Sequence, residues 1–144
     1  MSVFVDTNIL LRSIQPSHPM HERAVRQVAS FIAQDEALVV TPHIVAEFWN
    51  VATRPIEHNG LGMGHEQTRE ELVRLEHFFS VLGETPDVYA EWKRLVAGYK
   101  VTGVQVHDAR LVAAMQVYGV GRILTFNDQD FTRYRDIIEV IRPA

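Results

Sequence analysis

Cysteine is missing from all 144 residues, which excludes a disulfide framework and any thiolate metal site and fits a reducing compartment. No apolar run reaches the roughly 18 residues that a membrane span needs, and no basic segment leads into a signal-peptide core, so a cytoplasmic protein is expected. Excess basic charge is also lacking: 14 Lys and Arg face 18 acids, for a net charge of −4. That argues against a DNA-binding regulator that grips the duplex through basic surface. It does not exclude a nuclease, because carboxylates gathered around a divalent cation make the bare chain look more acidic than the loaded site. Fixed-period repeats and low-complexity tracts are absent as well.

What remains is ordinary in bulk and patterned in detail. Hydrophobic residues make up 47% and charged residues 22% of the chain, the balance of a folded soluble protein. The length suits one domain over residues 1–144. Val3-Phe4-Val5 reads as a buried strand, followed by a short helix from Ile9 to Ile14. Pro16-Ser17-His18-Pro19 breaks that helix, and apolar residues at helical spacing from Met20 to Ile32 mark the next. Ala37 to Val40 is a second strand. Thr41-Pro42 supplies a cap and first position for a helix that runs to Arg54-Pro55. Glu57 to Gly64, with its three glycines, reads as a mobile loop. Leu72, Leu75, Phe79 and Leu82 mark a helix from about His65, with a short extended piece near Val81, and another helix starts at about Pro86. The last third reads as helix Asp108–Tyr118, strand Arg122–Thr125, loop Asn127–Arg135 and strand Ile137–Ile141. Strands alternating with helices predict a three-layer α/β/α sandwich on a mostly parallel sheet.

In such sheets ligands bind outside the carboxyl ends of the strands, and acids stand there. Asp6 follows the first strand, Glu47 lies in the helix after the second, Asp108 opens a helix, and Asn127-Asp128-Gln129-Asp130 follows a late strand. Each singly has a plain alternative as a helix cap, solvated side chain or turn residue. Together they raise a different issue. Two carboxylates about 5 Å apart at an effective dielectric of about 20 repel by roughly 3 kcal/mol, so converging acids need a cation or captured protons. Hard oxygen ligands point to Mg²⁺, or Mn²⁺ in its place. Phosphodiester hydrolysis is the natural chemistry of such a site.

The stretches "VDTNILLR" around Asp6, "AEFWNV" around Glu47, "VHDARLVAAM" around Asp108 and "ILTFNDQDF" at Ile123–Phe131 resemble, in their usual order, the four acidic signatures of PIN-domain nucleases. The resemblance spans nearly the whole chain, and for a chain of this size is greatest to the VapC-type toxins of toxin–antitoxin pairs. It implies a Mg²⁺-dependent endoribonuclease acting on RNA such as tRNA or ribosomal RNA. It also implies a homodimer and a cognate antitoxin that covers the site. Residue by residue, it implies that Asp6, Glu47 and Asp108 are metal ligands, that Thr7 and Asn8 support Asp6, and that Asp130 is the acid before the Phe. Asn127 departs from the pattern, standing where many relatives carry Asp, so a second metal is not implied; Asp128 is the candidate to compensate.

Other residues carry weaker signals. His18 and His21 read as surface residues, and His107 either orients substrate or opens a helix as a polar residue. Arg12 is either a phosphate contact or a solvated cation. Trp49 and Trp92 read as core or dimer-contact aromatics. A phosphotransfer enzyme of the haloacid-dehalogenase type needs a second Asp two residues after Asp6, where Asn8 stands, and a receiver domain needs a second N-terminal acid. A catalytically silent module of the same fold that binds RNA or protein is the alternative to the nuclease.

Overall fold

The computed structural model describes all 144 residues. Five strands form one sheet: β1 (Ser2–Val5), β2 (Ala37–Val40), β3 (Phe79–Val81), β4 (Arg122–Leu124) and β5 (Glu139–Ile141). They lie in the order β3-β2-β1-β4-β5, and every pairing is parallel. Six α-helices cover it: α1 (Thr7–Ser13), α2 (His21–Ala33), α3 (Pro42–Thr53), α4 (His65–Leu75), α5 (Pro86–Gly98) and α6 (Val106–Tyr118). This is the three-layer α/β/α sandwich expected from the sequence. Parallel strands need crossover helices, and helices on both faces leave the strands no solvated side; Val3, Phe4 and Val5 are accordingly fully buried. No helix is long and apolar enough to cross a membrane.

Local chemistry sets the element ends. Thr41 caps α3, its Oγ1 accepting from the Ile44 N–H at 3.3 Å, with Pro42 at the first helical position. Gly119, at φ +67°, closes α6 in the left-handed conformation that glycine adopts without a steric cost. α6 is buried almost all round, from Ala109 through Leu111–Met115, and so forms part of the core rather than a cover with one wet face.

The chain visits β1, β2 and β3 in one direction and then returns to place β4 on the other side of β1. The crevice between the carboxyl ends of β1 and β4 is thus the topological switch point, where open α/β sheets bind ligands. At the opposite, amino-end rim, Arg122 donates to Glu36 Oε2 at 2.6 Å, and the N-terminal ammonium lies 3.7 Å from the same oxygen.

Several sequence expectations need correction. α4 stops at Leu75, and Phe79 lies in β3, in register with Leu38, rather than continuing the helix as far as Leu82; the backbone edge that β2 offers outweighs the helical spacing. The expected strand Ile137–Ile141 begins only at Glu139, because Ile137 and Ile138 both donate to the Tyr134 carbonyl in a turn. The Asn127–Arg135 loop contains a 3₁₀ helix from Asp128 to Tyr134. The glycine-rich loop after α3 is stitched down rather than free: Leu61, Gly62 and Met63 donate to carbonyls of Val51, Arg54 and Ala52 at 2.8–3.0 Å. Gly60 lies so close to the Arg54 carbonyl that any side chain there would collide with it.

Candidate active site

The first acid is fixed by its own helix start. Asp6 is the N-cap of α1, and Oδ1 accepts from the Thr7 N–H at 2.8 Å. Its other oxygen, Oδ2, accepts from Thr125 Oγ1 at 2.8 Å and from Asn8 Nδ2 at 3.3 Å. Thr125, fully buried just past β4, also accepts from Asn8 Nδ2 at 3.2 Å and from the Asn127 N–H at 2.9 Å. Asn8 Oδ1 closes the network by accepting from the Phe126 N–H at 3.0 Å. The cap reading and the site reading of Asp6 therefore describe different oxygens of one carboxylate. In sequence, Thr125 is legible as the first residue of a T-x-N-x-x-D-F pattern within "ILTFNDQDF", but without the bond that gives it a role.

Around Asp6 stand further acids, Asp108 partly buried and Glu47 and Asp130 exposed. Glu47 Oε2 is 3.5 Å from Thr7 Oγ1 and 3.8 Å from His43 Nε2. Burial pushes the Asp6 carboxyl from 3.8 up to about 6; the bonds from Thr125 and Thr7 pull it back, while Glu47 and Asp130 add repulsion. Asp108, in the first turn of α6, is pushed up to about 7 by burial and then by Asp6, Asp130 and Glu47, with Arg133 opposing. Glu47 and Asp130 thus lie near enough to raise both Asp6 and Asp108, and Asp6 near enough to raise Asp108. The cluster is open: no three His, Asp or Glu side chains close into a ligand cage. The donor set still suits a hard divalent cation, being all oxygen, mutually repelling and, at Asp6 and Asp108, paired with no Lys or Arg.

The remaining candidates sort clearly. Asn127 is exposed and enters the network through its backbone N–H. Asp128 is paired with Arg142 at 3.0 Å and does not figure among the charges that raise Asp6 and Asp108, whereas Asp130 does. His18 and His21 are half-buried rather than surface residues: His18 Nδ1 accepts from the Met20 N–H at 3.0 Å, and His21 Nδ1 bonds the Arg12 carbonyl at 2.8 Å, so they pin the α1–α2 turn. Arg12 donates to Gln15 at 2.7 Å and keeps a buried Nε without a partner. Trp92 packs against the edge of the core; Trp49 is half-buried against His65.

A five-stranded parallel sheet with acids gathered at its switch point defines a class, and the sequence agrees with it. Residues 3–137 match the PIN domain family, and the chain belongs to that family. Among its relatives, Ribonuclease VapC48 of Mycobacterium tuberculosis is 29% identical, covering 95% of this chain and 94% of its own. The fold is shared with VapBC2 from Rickettsia felis, solved on a DNA fragment from its promoter (TM-score 0.73, 13% identity, 99% of this chain and 98% of that one). It is shared too with Mycobacterium tuberculosis VapC20, a sarcin–ricin-loop-cleaving toxin (TM-score 0.67, 23% identity, 98% and 99%).

Proposed function

We propose that this chain is a metal-dependent endoribonuclease that hydrolyses RNA phosphodiester bonds, and that it is the toxin of a type II toxin–antitoxin pair. The observation that carries the reading is the group of facing acids, two of them raised by burial and mutual repulsion, at the switch point of a PIN-family sheet. Asp6, Glu47 and Asp108 would hold Mg²⁺, with Mn²⁺ as a substitute. When bound there, a divalent ion would supply positive charge against the phosphate and make water a better nucleophile. The chain's own task is orientation. Thr125, Thr7 and Asn8 fix both oxygens of Asp6, so its carboxylate is aimed before substrate arrives. Asp130 adds negative charge near Asp6 and Asp108, and Asn127 braces Thr125 through its backbone N–H. No side chain is needed as a covalent nucleophile.

Likeness to VapC48 supports RNA as the substrate, and likeness to VapC20 makes ribosomal RNA a candidate beside tRNA. A cognate antitoxin and a homodimer complete the proposal. The open arrangement of the acids favours a second reading, a silent module that binds RNA without cutting it. Total RNA incubated with the purified chain in Mg²⁺, in Mn²⁺ and in chelator separates the two. Cleavage in either metal and none in chelator is expected. Retention of RNA on a filter with no cleavage in either metal would replace the nuclease with the binding module.

A further inference from the structure

Beyond β1 the sheet runs through β2 to β3, so the carboxyl rim that carries Asp6 also leads toward the end of β3. His43, one helical turn before Glu47, stacks on His107 with ring centroids 6.2 Å apart and an interplanar angle of 23°. On its other side, His43 Nδ1 is 3.4 Å from an Arg110 guanidinium nitrogen, and Arg110 donates to Glu84 at 2.6 Å. Glu84 stands just after β3, and with Thr85, Val88, Tyr89, Trp92 and Arg110 it lines a hollow of about 300 Å³. Trp92 is held there by its Nε1 donating to the Val106 carbonyl at 2.8 Å. Tyr89 stacks on Trp92 at 6.2 Å and 26°, yet stays 64% exposed.

The chemistry of this hollow is specific. The Arg110 charge is cancelled by Glu84, so it does not attract a phosphate as a free guanidinium would. It offers instead fixed N–H donors, a carboxylate acceptor and an open aromatic face. Those are the partners of an unpaired nucleobase, which stacks on aromatics and bonds through its edge. A volume of about 300 Å³ is at the small end of ligand sites, suited to one heterocycle.

We propose that the hollow takes one unpaired base of an RNA strand whose nearby phosphate lies at the acids, so that Tyr89, Trp92 and the Arg110–Glu84 pair set base preference beside the cut. The inference rests on the ribonuclease reading, but binding tests it separately. With Trp49→Phe, Trp92 is the sole indole, and A, C, G and U pentaribonucleotides are titrated in chelator while its fluorescence is followed. One pentamer quenches Trp92 more tightly than the other three. Tyr89→Ala weakens that pentamer about tenfold, the loss of one stacked base; Tyr89→Phe binds as before, and Arg110→Leu levels the four affinities. Trp92 fluorescence indifferent to all four RNAs, or Tyr89→Ala binding unchanged, overturns the proposal. So does a Tyr89→Ala variant that only shifts the sedimentation of the free protein, which would make the hollow a self-association face. Quenching without cleavage by the wild type defeats the ribonuclease reading and leaves the base site standing; cleavage without quenching does the reverse.

Discussion

The two rims of the same parallel sheet treat acids in opposite ways. At the amino-end rim, Glu36 is 15% exposed and is neutralised twice, by Arg122 at 2.6 Å and by the terminal ammonium at 3.7 Å. At the carboxyl-end rim, Asp6 and Asp108 are pushed up to about 6 and about 7, and Asp6 is held by neutral hydroxyl, amide and backbone donors. The fold can thus satisfy a carboxylate from its own cations, and does so where charge has only a structural role. Where it does not, the carboxyls stay raised by burial and by one another, as is common at functional sites.

The comparison breaks most visibly if Asp6 is altered. Losing a residue that merely orients a metal ligand costs about 10–100-fold. On the proposed role of Asp6 as a ligand, Asp6→Asn should lower cleavage of RNA at least about 100-fold, measured as initial rate at saturating Mg²⁺. Thr125→Val removes the donor to Asp6 Oδ2 and the acceptor for the Asn127 N–H in a side chain of nearly equal size; a fall of about 10–100-fold is expected, with most of the folded stability kept. If its activity equals that of the wild type, the neutral network does not aim Asp6.

The amino rim supplies the counter-test. Arg122→Met strips Glu36 of its closer cation and should destabilise the fold by about 1.5 kcal/mol in urea unfolding, while cleavage per folded molecule stays unchanged. The smallest effect concerns charge itself. A carboxyl raised on folding makes the folded state bind the proton more tightly, so the contribution of Asp108 to stability is fully present below the ordinary value near 3.8 and is lost as pH climbs through about 7. Asp108→Asn cannot ionise, so in chelator at pH 8 it should melt above the wild type, an advantage that vanishes near pH 4. Asp108 is half-exposed, and screening reduces the gain to about 1 kcal/mol, about 3 °C for a chain of this size.

Much of this was legible in the sequence wherever local signals dominate. The first two strands were found because fully buried strands read as unbroken apolar runs, and α3 because Thr41-Pro42 is a cap signature. Phe79 was assigned to a helix because Leu72, Leu75 and Phe79 keep helical spacing, and only the open edge of β2 turns that residue into strand. Asp6, Glu47 and Asp108 stood out by their place after strands. Thr125 is visible as the first residue of the T-x-N-x-x-D-F ending, but its role is not, because a threonine ending a strand is ordinary until Asp6 lies 2.8 Å away. In sequence Asp130 fits the acid before the Phe and Asp128 is only a candidate to compensate for Asn127; Arg142, fourteen residues on from Asp128, takes that candidate up in an ion pair.

By itself the sequence determined the alternation of strands and helices and the acids at the strand ends, because both depend on short-range pattern and on the rule that parallel strands need helical crossovers. Only the tertiary structure decided which acids are left without a cation, which threonine aims Asp6, and that Glu84, Tyr89, Trp92 and Arg110 share one hollow. Those facts depend on partners many residues apart in the chain, and charge and hydrogen bonding act through distance in space.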